Sequence, residues 1–180
     1  MNQTHPTAWH SALTSVSYRQ RIWLQDRGSL TRRIQERCPH FRVQRVFQAL
    51  SRIYGDELTV MKLRAGELAL VREVYLYCGD TPVVFAHSVV THQDLRGAWR
   101  SLSGLGNKSL GTVLFSNPKI ERTPLTFKKV GRGHFLYDRA CERLMSKPAD
   151  LWARRSLFTL HGQSILVTEV FLPAILDLPL

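Results

Sequence analysis

The 180-residue sequence lacks the segments that would place it in or across a membrane. No apolar run reaches membrane-spanning length, because Arg72, Glu73 and His87 interrupt the longest candidates. The N-terminus has no charged segment followed by an apolar one, so we expect no export signal. The sequence therefore predicts a protein without an integral membrane segment.

Cysteine is scarce as well. Cys38, Cys78 and Cys141 are an odd number, and no two of them are close in sequence. Small secreted domains that depend on disulfides usually carry a denser, even-numbered set. The simplest interpretation is a reduced protein located in the cytoplasm.

The motifs of metal, nucleotide and serine-hydrolase chemistry are also missing. The seven histidines are dispersed, and none has metal-ligand spacing with Cys or Asp. Gly104 and Gly106 do not form a dinucleotide-binding fingerprint, because the third glycine and the βαβ context are absent. The sequence contains no G-x-S-x-G motif and no P-loop. We therefore expect no metal and no cofactor.

Acidic residues are few: 14 Asp and Glu stand against 25 Lys and Arg, which gives a net charge of +11. Such an excess attracts nucleic acid, an anionic membrane surface, or a carboxylate or phosphate substrate. The basic residues are scattered, and we find no zinc-finger spacing, RNP motif or helix-turn-helix. The charge favours an anionic partner without choosing among these classes. A nucleic-acid-binding function would rest on charge alone, and we expect no nucleic-acid partner.

The apolar content of 44% is sufficient for one domain with a substantial core. We assign the domain to residues 17–180 and a flexible arm to residues 1–16. Alternating and apolar patterns predict strands in residues 41–47, 70–78, 83–90, 151–160 and 163–172. Residues 118–130 are predicted to be mostly extended. Helical patterns and caps predict helices in residues 18–25, 30–37, 94–103, 110–115 and 135–146. Residues 49–68 have no clear pattern and are interpreted as a mixed loop with a helical turn. The prediction is an α+β fold with an antiparallel sheet.

Two charged residues lie in apolar rows of predicted central strands. Arg72 lies in the row of residues 70–78, and Glu169 lies in the row of residues 165–171. An unpaired buried charge is costly, so each must find a partner. One interpretation is a buried structural ion pair. The other is that Arg72 and Glu169 face opposite ends of a pocket, where Arg72 binds a carboxylate and Glu169 contacts a hydroxyl or a proton.

Further polar residues have simpler interpretations. Ser29 and Ser109 are ordinary helix N-caps by default, although the N–H groups that follow them could together hold a carboxylate. A two-residue turn at 161–162 would place Arg154 across from Glu169, where a cross-strand contact is an alternative. His87 is interpreted as a satisfied core histidine.

At these residues the chain resembles the chorismate pyruvate-lyase family. The resemblance is carried, in chain order, by residues 28–33, 71–74, 105–115, 151–156 and 166–173, of which the last two are specific. It implies a single domain with an antiparallel sheet of about six strands and helices packed on it. It also implies a cofactor-free lyase that converts chorismate to 4-hydroxybenzoate and pyruvate for ubiquinone biosynthesis, with chorismate as its small-molecule partner. We expect a monomer.

The resemblance further implies roles for individual residues. Arg72 would hold the ring carboxylate, helped by the backbone N–H groups of Leu30 and Leu110. Glu169 would contact the ring hydroxyl, and it would either orient that group or assist proton removal. Arg72 and Glu169 would then be the catalytic residues. The same fold resembles the effector-binding domains of bacterial transcription regulators, so the alternative function is a non-catalytic small-molecule sensor.

Overall fold

Long antiparallel strands form the frame of the computed structural model, which describes residues 8–53 and 55–179. Within these residues the sheet has seven strands. They are β1 (Phe41–Arg52), β2 (Leu68–Cys78), β3 (Thr81–Thr91), β4 (Glu121–Arg122), β5 (Thr126–Gly131), β6 (Asp150–Leu160) and β7 (Gln163–Phe171). The order is β1-β2-β3-β7-β6, and β4 and β5 both pair with β6. The predicted α+β fold with an antiparallel sheet is confirmed, with seven strands instead of about six.

Short helices cover the two faces of this sheet. They are α1 (Tyr18–Leu24), α2 (Leu30–Gln35), α3 (Gly55–Met61), α4 (His92–Leu95), α5 (Leu110–Ser116) and α6 (Phe135–Ala140). Two 3₁₀ helices add Arg100–Gly104 and Pro173–Asp177. α2 and α5 pack on one face of the sheet through Leu30, Ile34, Leu110 and Leu114. α3 and α6 pack on the other face.

Three helix and loop predictions were wrong in extent. The helix predicted over 94–103 is divided into α4 and the 3₁₀ helix Arg100–Gly104, and between them the N–H of Ala98 donates to the side chain of Gln163. The segment 49–68 contains the helical turn that was predicted, as α3, but also the end of β1, which was not predicted. The helix predicted over 135–146 ends at Ala140.

The strand register aligns side chains in rows across the sheet. One row on the α2–α5 face contains Arg72, Ser88, Val167 and Ser156, one each from β2, β3, β7 and β6. The next row on the same face contains Val74, Ala86, Glu169 and Arg154. Because side chains alternate along a strand, Glu73 and His87 point to the opposite face. The register therefore puts Arg72 and Glu169 on the same face, in neighbouring rows and two strands apart.

Cys38 and Cys78 form a disulfide, with their Cα atoms 5.7 Å apart. The expectation of three unpaired cysteines is therefore wrong for this pair. Forty residues separate the two along the chain, but β1 pairs with β2 from Phe41 opposite Cys78, which brings Cys38 back to the end of β2. Cys141 is buried and free.

The N-terminal segment is described only from residue 8 onward. Residues 1–7 of the predicted flexible arm lie outside the described residues. His10 pairs with Phe127 of β5, and Leu13 is buried in the core. The boundary at residue 17 stays a prediction. Within residues 8–53 and 55–179, no helix is both long enough and apolar enough to cross a membrane.

Candidate active site

A pocket lies between the sheet and the beginnings of α2 and α5. It is lined by all four residues that the sequence predicted for the site: Leu30, Arg72, Leu110 and Glu169. Apolar side chains of the sheet and of α5 form the walls between the charged residues, among them Val74, Ala86, Leu114, Phe158 and Val167.

Arg72 is a buried cation held by uncharged groups. Arg72 is 4% exposed, and its Nη2 donates to the backbone oxygens of Gly106 at 3.1 Å and Lys108 at 2.8 Å. Its Nε has no hydrogen-bond partner, and no carboxylate of the described residues lies within 4.0 Å of its guanidinium nitrogens. Burial, followed by the charge of Arg45, lowers the pKa of Arg72 to about 10. Arg72 therefore stays positive at neutral pH and favours an anion.

The beginnings of α2 and α5 meet beside Arg72. The Ser29 and Ser109 hydroxyls cap these helices, accepting from the N–H groups of Arg32 and Gly111. Thr31 Oγ1 lies 2.6 Å from Ser109 Oγ, which links the two helix ends. The first N–H groups of a helix have no acceptor within the helix and carry the positive end of its dipole. Leu30 and Leu110 are the first residues of the two helices.

Glu169 is paired with Arg154, its direct neighbour across β6 and β7. Arg154 Nε donates to Glu169 Oε2 at 2.6 Å, and the Arg154 side chain is 1% exposed. Arg154 Nη1 also donates to the backbone oxygens of residues at the end of α1: Trp23, Leu24 and Asp26. The cross-strand contact considered from the sequence is confirmed. An ion pair between Arg72 and Glu169 is not present in the structure.

The separation of Arg72 and Glu169 suits a ring-sized ligand. Two strand spacings lie between them, so their Cα atoms are at least about 10 Å apart. The intervening positions on this face are Ser88 and the apolar residues Val74, Ala86 and Val167. An aromatic ring with a carboxylate on one side and a hydroxyl opposite could lie between the two charges.

Arg122 is a pocket residue that the sequence analysis missed. It lies on β4, and its Nε donates to Ser156 Oγ at 2.9 Å while its Nη1 donates to the backbone oxygen of Arg27 at 2.7 Å. Burial lowers the pKa of Arg122, and the charge of Glu169 partly opposes this effect. No local pattern could have identified Arg122, because β4 has only two residues and its position depends on pairing with β6.

A second charged cluster lies on the opposite face of the sheet. His87, which is 1% exposed, lies 3.1 Å from Glu57 and 3.2 Å from Glu73, and Arg139 donates to Glu73 at 2.9 Å. The prediction that His87 is a core histidine is confirmed; its Nδ1 is hydrogen-bonded to Glu73, whereas its Nε2 lies close to Glu57 outside hydrogen-bond geometry. Among the described residues, no group of three His, Cys, Asp or Glu side chains is arranged to hold a metal ion.

Comparison with known proteins identifies the family. Residues 5–178 match the family described as chorismate lyase. This chain belongs to the chorismate lyase family. A probable chorismate pyruvate-lyase of Nitrosospira multiformis is 66% identical over 179 residues, covering 99% of both chains. Another from Nitrosomonas europaea is 63% identical over 175 residues, covering 97% of this chain and 98% of the relative.

Two solved structures have a fold similar to that of this chain. The C-terminal domain of PhnF has a TM-score of 0.57 at 12% identity and covers 77% of this chain and 86% of that domain. A GntR-family regulator from Enterococcus faecalis has a TM-score of 0.52 at 13% identity and covers 73% of this chain and 89% of that one. At this identity the similarity concerns the fold alone. This chain and these two structures therefore share an architecture.

Proposed function

We propose that this protein is a lyase that converts chorismate to 4-hydroxybenzoate and pyruvate, the first step of ubiquinone biosynthesis. The observation that carries the proposal is the pocket with two charged ends, in a chain that belongs to the chorismate lyase family. One end holds a buried Arg72 without a carboxylate partner among the described residues. We further propose that the protein acts as a monomer in the cytoplasm, a location that rests on the family and not on the cysteines, since Cys38 and Cys78 are paired.

The substrate would lie along the pocket. Arg72 would bind the ring carboxylate, with the backbone N–H groups of Leu30 and Leu110 as additional donors. Such charge-assisted hydrogen bonds are among the strong ones. The ring would contact the apolar walls, and the hydroxyl at C4 would approach Glu169. Arg154 compensates the charge of the Glu169 carboxylate, and its Nε donates a hydrogen bond to only one of the two carboxylate oxygens, Oε2.

The chemistry requires little beyond positioning and charge stabilisation. The ether bond between C3 and oxygen breaks, and its electron pair leaves with the enolpyruvate. C4 loses its proton, the ring becomes aromatic, and the enolpyruvate takes up a proton at its methylene carbon to become pyruvate. The pocket would hold the reacting conformation and stabilise the departing negative charge. Glu169 either orients the C4 hydroxyl or accepts the C4 proton, and both roles fit its position.

The direct test is incubation of the purified protein with chorismate. We expect pyruvate and 4-hydroxybenzoate in equal amounts, at a rate that a metal chelator does not change. Folded protein that forms neither product would contradict the proposal. The alternative, a non-catalytic sensor, is favoured by the fold shared with regulator domains. A sensor would bind these ligands without turnover.

Arg72→Lys tests the carboxylate site. Lysine keeps the charge but cannot reproduce the two-pronged guanidinium, so we expect weaker binding of chorismate and of 4-hydroxybenzoate together. Loss of a hydrogen bond to a charged group corresponds to a dissociation constant that is larger by about 10- to 100-fold. Arg32→Lys is the matched control, because the Arg32 side chain is 81% exposed. A purely structural Arg72 would instead give lower thermal stability with normal affinity.

A further inference from the structure

Chorismate carries two carboxylates, and the binding scheme above accounts for only the one on the ring. The second belongs to the enolpyruvyl group, which is attached through oxygen at C3. Among the described residues that line the pocket, two are cationic, Arg72 and Arg122. Glu169 is the acidic lining residue, and its charge is compensated by Arg154. Arg122 is therefore the cation of this pocket to which no role has been given.

Arg122 is aimed into the pocket by two fixed hydrogen bonds. Its Nε is held by Ser156 Oγ and its Nη1 by the backbone oxygen of Arg27. Nη2 makes no hydrogen bond to the described residues, and it is not among the fully buried unpartnered atoms. The guanidinium also lies 5.6 Å from the ring centre of Phe115 and 5.0 Å from that of Phe158. One nitrogen of a rigidly held guanidinium is thus left for a ligand.

The charge of Arg122 has no counter-charge in direct contact. No carboxylate of the described residues lies within 4.0 Å of it, because Glu169 is bound to Arg154 and Asp26 is bound to Arg33. A largely buried cation without a partner is costly, and an anionic ligand would relieve that cost. The lowered pKa of Arg122 follows from this burial. The arrangement repeats what Arg72 shows at the other end of the pocket.

The position of Arg122 matches the substitution pattern of the substrate. Ser156, to which Arg122 is bound, lies in the same row as Arg72 but three strands away, about 14 Å between Cα atoms. Glu169 lies in the neighbouring row, and its field acts on Arg122. In chorismate the C3 ether is adjacent to the C4 hydroxyl and remote from the ring carboxylate. If the ring carboxylate of the substrate lies at Arg72 and its hydroxyl at Glu169, the C3 substituent would point toward Arg122.

We propose that Arg122 binds the carboxylate of the enolpyruvyl group, an inference that rests on the proposed lyase function. When the C3–O bond breaks, the electron pair moves to the enolpyruvate oxygen, and the leaving group then carries a second negative charge beside the guanidinium. Arg122 therefore contributes both to substrate binding and to the stability of the departing anion. It contributes nothing to binding of 4-hydroxybenzoate, which lacks the enolpyruvyl group.

The test compares two ligands in two variants. We expect Arg122→Gln to lower kcat/KM for chorismate by about 10- to 100-fold, the effect of losing a hydrogen bond to a charged group. The dissociation constant of 4-hydroxybenzoate, measured by calorimetry, should stay unchanged. Arg122→Lys, which keeps the charge, should recover part of the loss. Arg32→Gln is the matched control, an exposed arginine outside the pocket lining, and should change neither quantity.

Two results would overturn the inference while leaving the lyase function intact. One is an equal loss for both ligands, as expected if Arg122 only supports the pocket wall. The other is wild-type kcat/KM in Arg122→Gln. If Arg122→Gln does not fold, Ser156→Ala removes the hydrogen bond that aims the guanidinium, and it should give a smaller loss confined to chorismate.

Failure of the lyase function itself gives a different pattern. A wild-type protein that binds chorismate without turnover contradicts the function, and the ratio of the two dissociation constants in Arg122→Gln then decides the role of Arg122. A wild-type protein that binds neither ligand overturns both proposals.

Discussion

At the scale of single residues, the pocket contains two differently balanced kinds of charge. Arg72 and Arg122 are bound to neutral backbone and hydroxyl oxygens, so each keeps its positive charge available. Arg154 is fully buried, and its Nε donates to Glu169 while its Nη1 donates to three backbone oxygens; its Nη2 has no hydrogen-bond partner. Glu169 therefore contributes both to the pocket and to the stability of the hairpin that carries it.

Glu169→Gln should separate these two contributions. Removing one partner of a buried ion pair costs about 3–5 kcal/mol. We expect the free energy of unfolding in urea to fall by about 3 kcal/mol, at the lower end, because the amide oxygen can still accept from Arg154. Turnover should be lost, while 4-hydroxybenzoate should still bind through Arg72.

A double-mutant cycle checks which arginine is the partner of Glu169. Arg154→Gln combined with Glu169→Gln should be non-additive by at least about 1 kcal/mol, since the groups touch. Arg72→Ala combined with Glu169→Gln should be additive within about 0.5 kcal/mol, since they do not. Strong coupling of Arg72 to Glu169 would contradict the arrangement described above.

At the scale of elements, the two helix ends beside Arg72 approach closely because residue 111 is glycine. A Cβ atom at Gly111 would lie 3.0 Å from Thr31 Oγ1, and 3.3 Å from both Ser109 Oγ and Ser29 Oγ. A side chain there would have to displace at least one of these hydroxyls. The N-cap of α5 and the Thr31–Ser109 link between α2 and α5 therefore depend on the absence of a side chain at residue 111.

Gly111→Ala should loosen the binding site without unfolding the protein. Alanine is favoured over glycine within a helix by about 1 kcal/mol, which should offset the crowding in the unfolding free energy. Displacement of the Thr31–Ser109 link should weaken 4-hydroxybenzoate binding by about 3- to 10-fold, on the order of one neutral hydrogen bond. Gly104→Ala is the matched control, since a Cβ there meets nothing within 4 Å. Unchanged affinity in Gly111→Ala would show that the helix ends do not contribute to binding.

At the scale of the whole molecule, the sheet separates two charged regions. The pocket lies on the α2–α5 face, and the cluster of His87, Glu57, Glu73 and Arg139 lies on the α3–α6 face. Burial by itself would lower the pKa of His87, but its contacts with Glu57 and Glu73 raise it to about 9. Burial likewise would raise the pKa of Glu73, but His87 and Arg139 lower it below its usual value. The cluster therefore holds His87 in its charged form at neutral pH.

This cluster predicts a pH dependence of stability. The pKa of His87 is raised in the folded state, from about 6.5 in the unfolded chain. Its contribution is therefore fully present below about pH 6.5 and is lost as pH rises through about 9. The difference between the pKa of His87 in the folded and in the unfolded state corresponds to about 3 kcal/mol of unfolding free energy. Urea denaturation from pH 6 to pH 10 should show this decline in the wild type.

Variants of two histidines isolate the effect. His87→Gln should be less stable at pH 6 and should lose most of the decline between pH 6.5 and pH 9. His92→Gln, at an exposed position, should keep it. A wild-type decline that persists unchanged in His87→Gln would assign the pH dependence to another group.

The disulfide is the other feature that acts on the molecule as a whole. Closing a loop with a sequence separation of 40 residues should stabilise the fold by about 4 kcal/mol through the unfolded chain. We expect dithiothreitol to lower the melting temperature of the wild type and of Cys141→Ala, which keeps the bridge. The double variant Cys38→Ala, Cys78→Ala should melt at the same temperature with and without reductant. A wild-type melting temperature insensitive to reductant would contradict a stabilising bridge.

Much of the site could be predicted from the sequence, because it follows from local rules. Alternation along a strand has a period of two, so Arg72 and Glu169 could be assigned to apolar rows without a structure. Ser29 and Ser109 cap helices that begin at the next residue, and capping depends on the three residues that follow. The hairpins joined near residues 79 and 161 are equally local. The sequence by itself therefore determined the fold class and the rows that contain Arg72 and Glu169, whereas the roles of Leu30 and Leu110 were implied by the resemblance to the chorismate pyruvate-lyase family.

The tertiary structure alone decided which groups meet. It pairs Glu169 with Arg154 instead of Arg72, brings Arg122 to Ser156, and joins Cys38 to Cys78. It also joins the N–H of Ala98 to the side chain of Gln163, 65 residues away in sequence. These contacts depend on strand order and register, which bring together residues far apart along the chain. Local patterns do not specify which distant residues pair. Each strand could pair with its neighbours in several registers, and the packing of the whole sheet and its helices selects one of them.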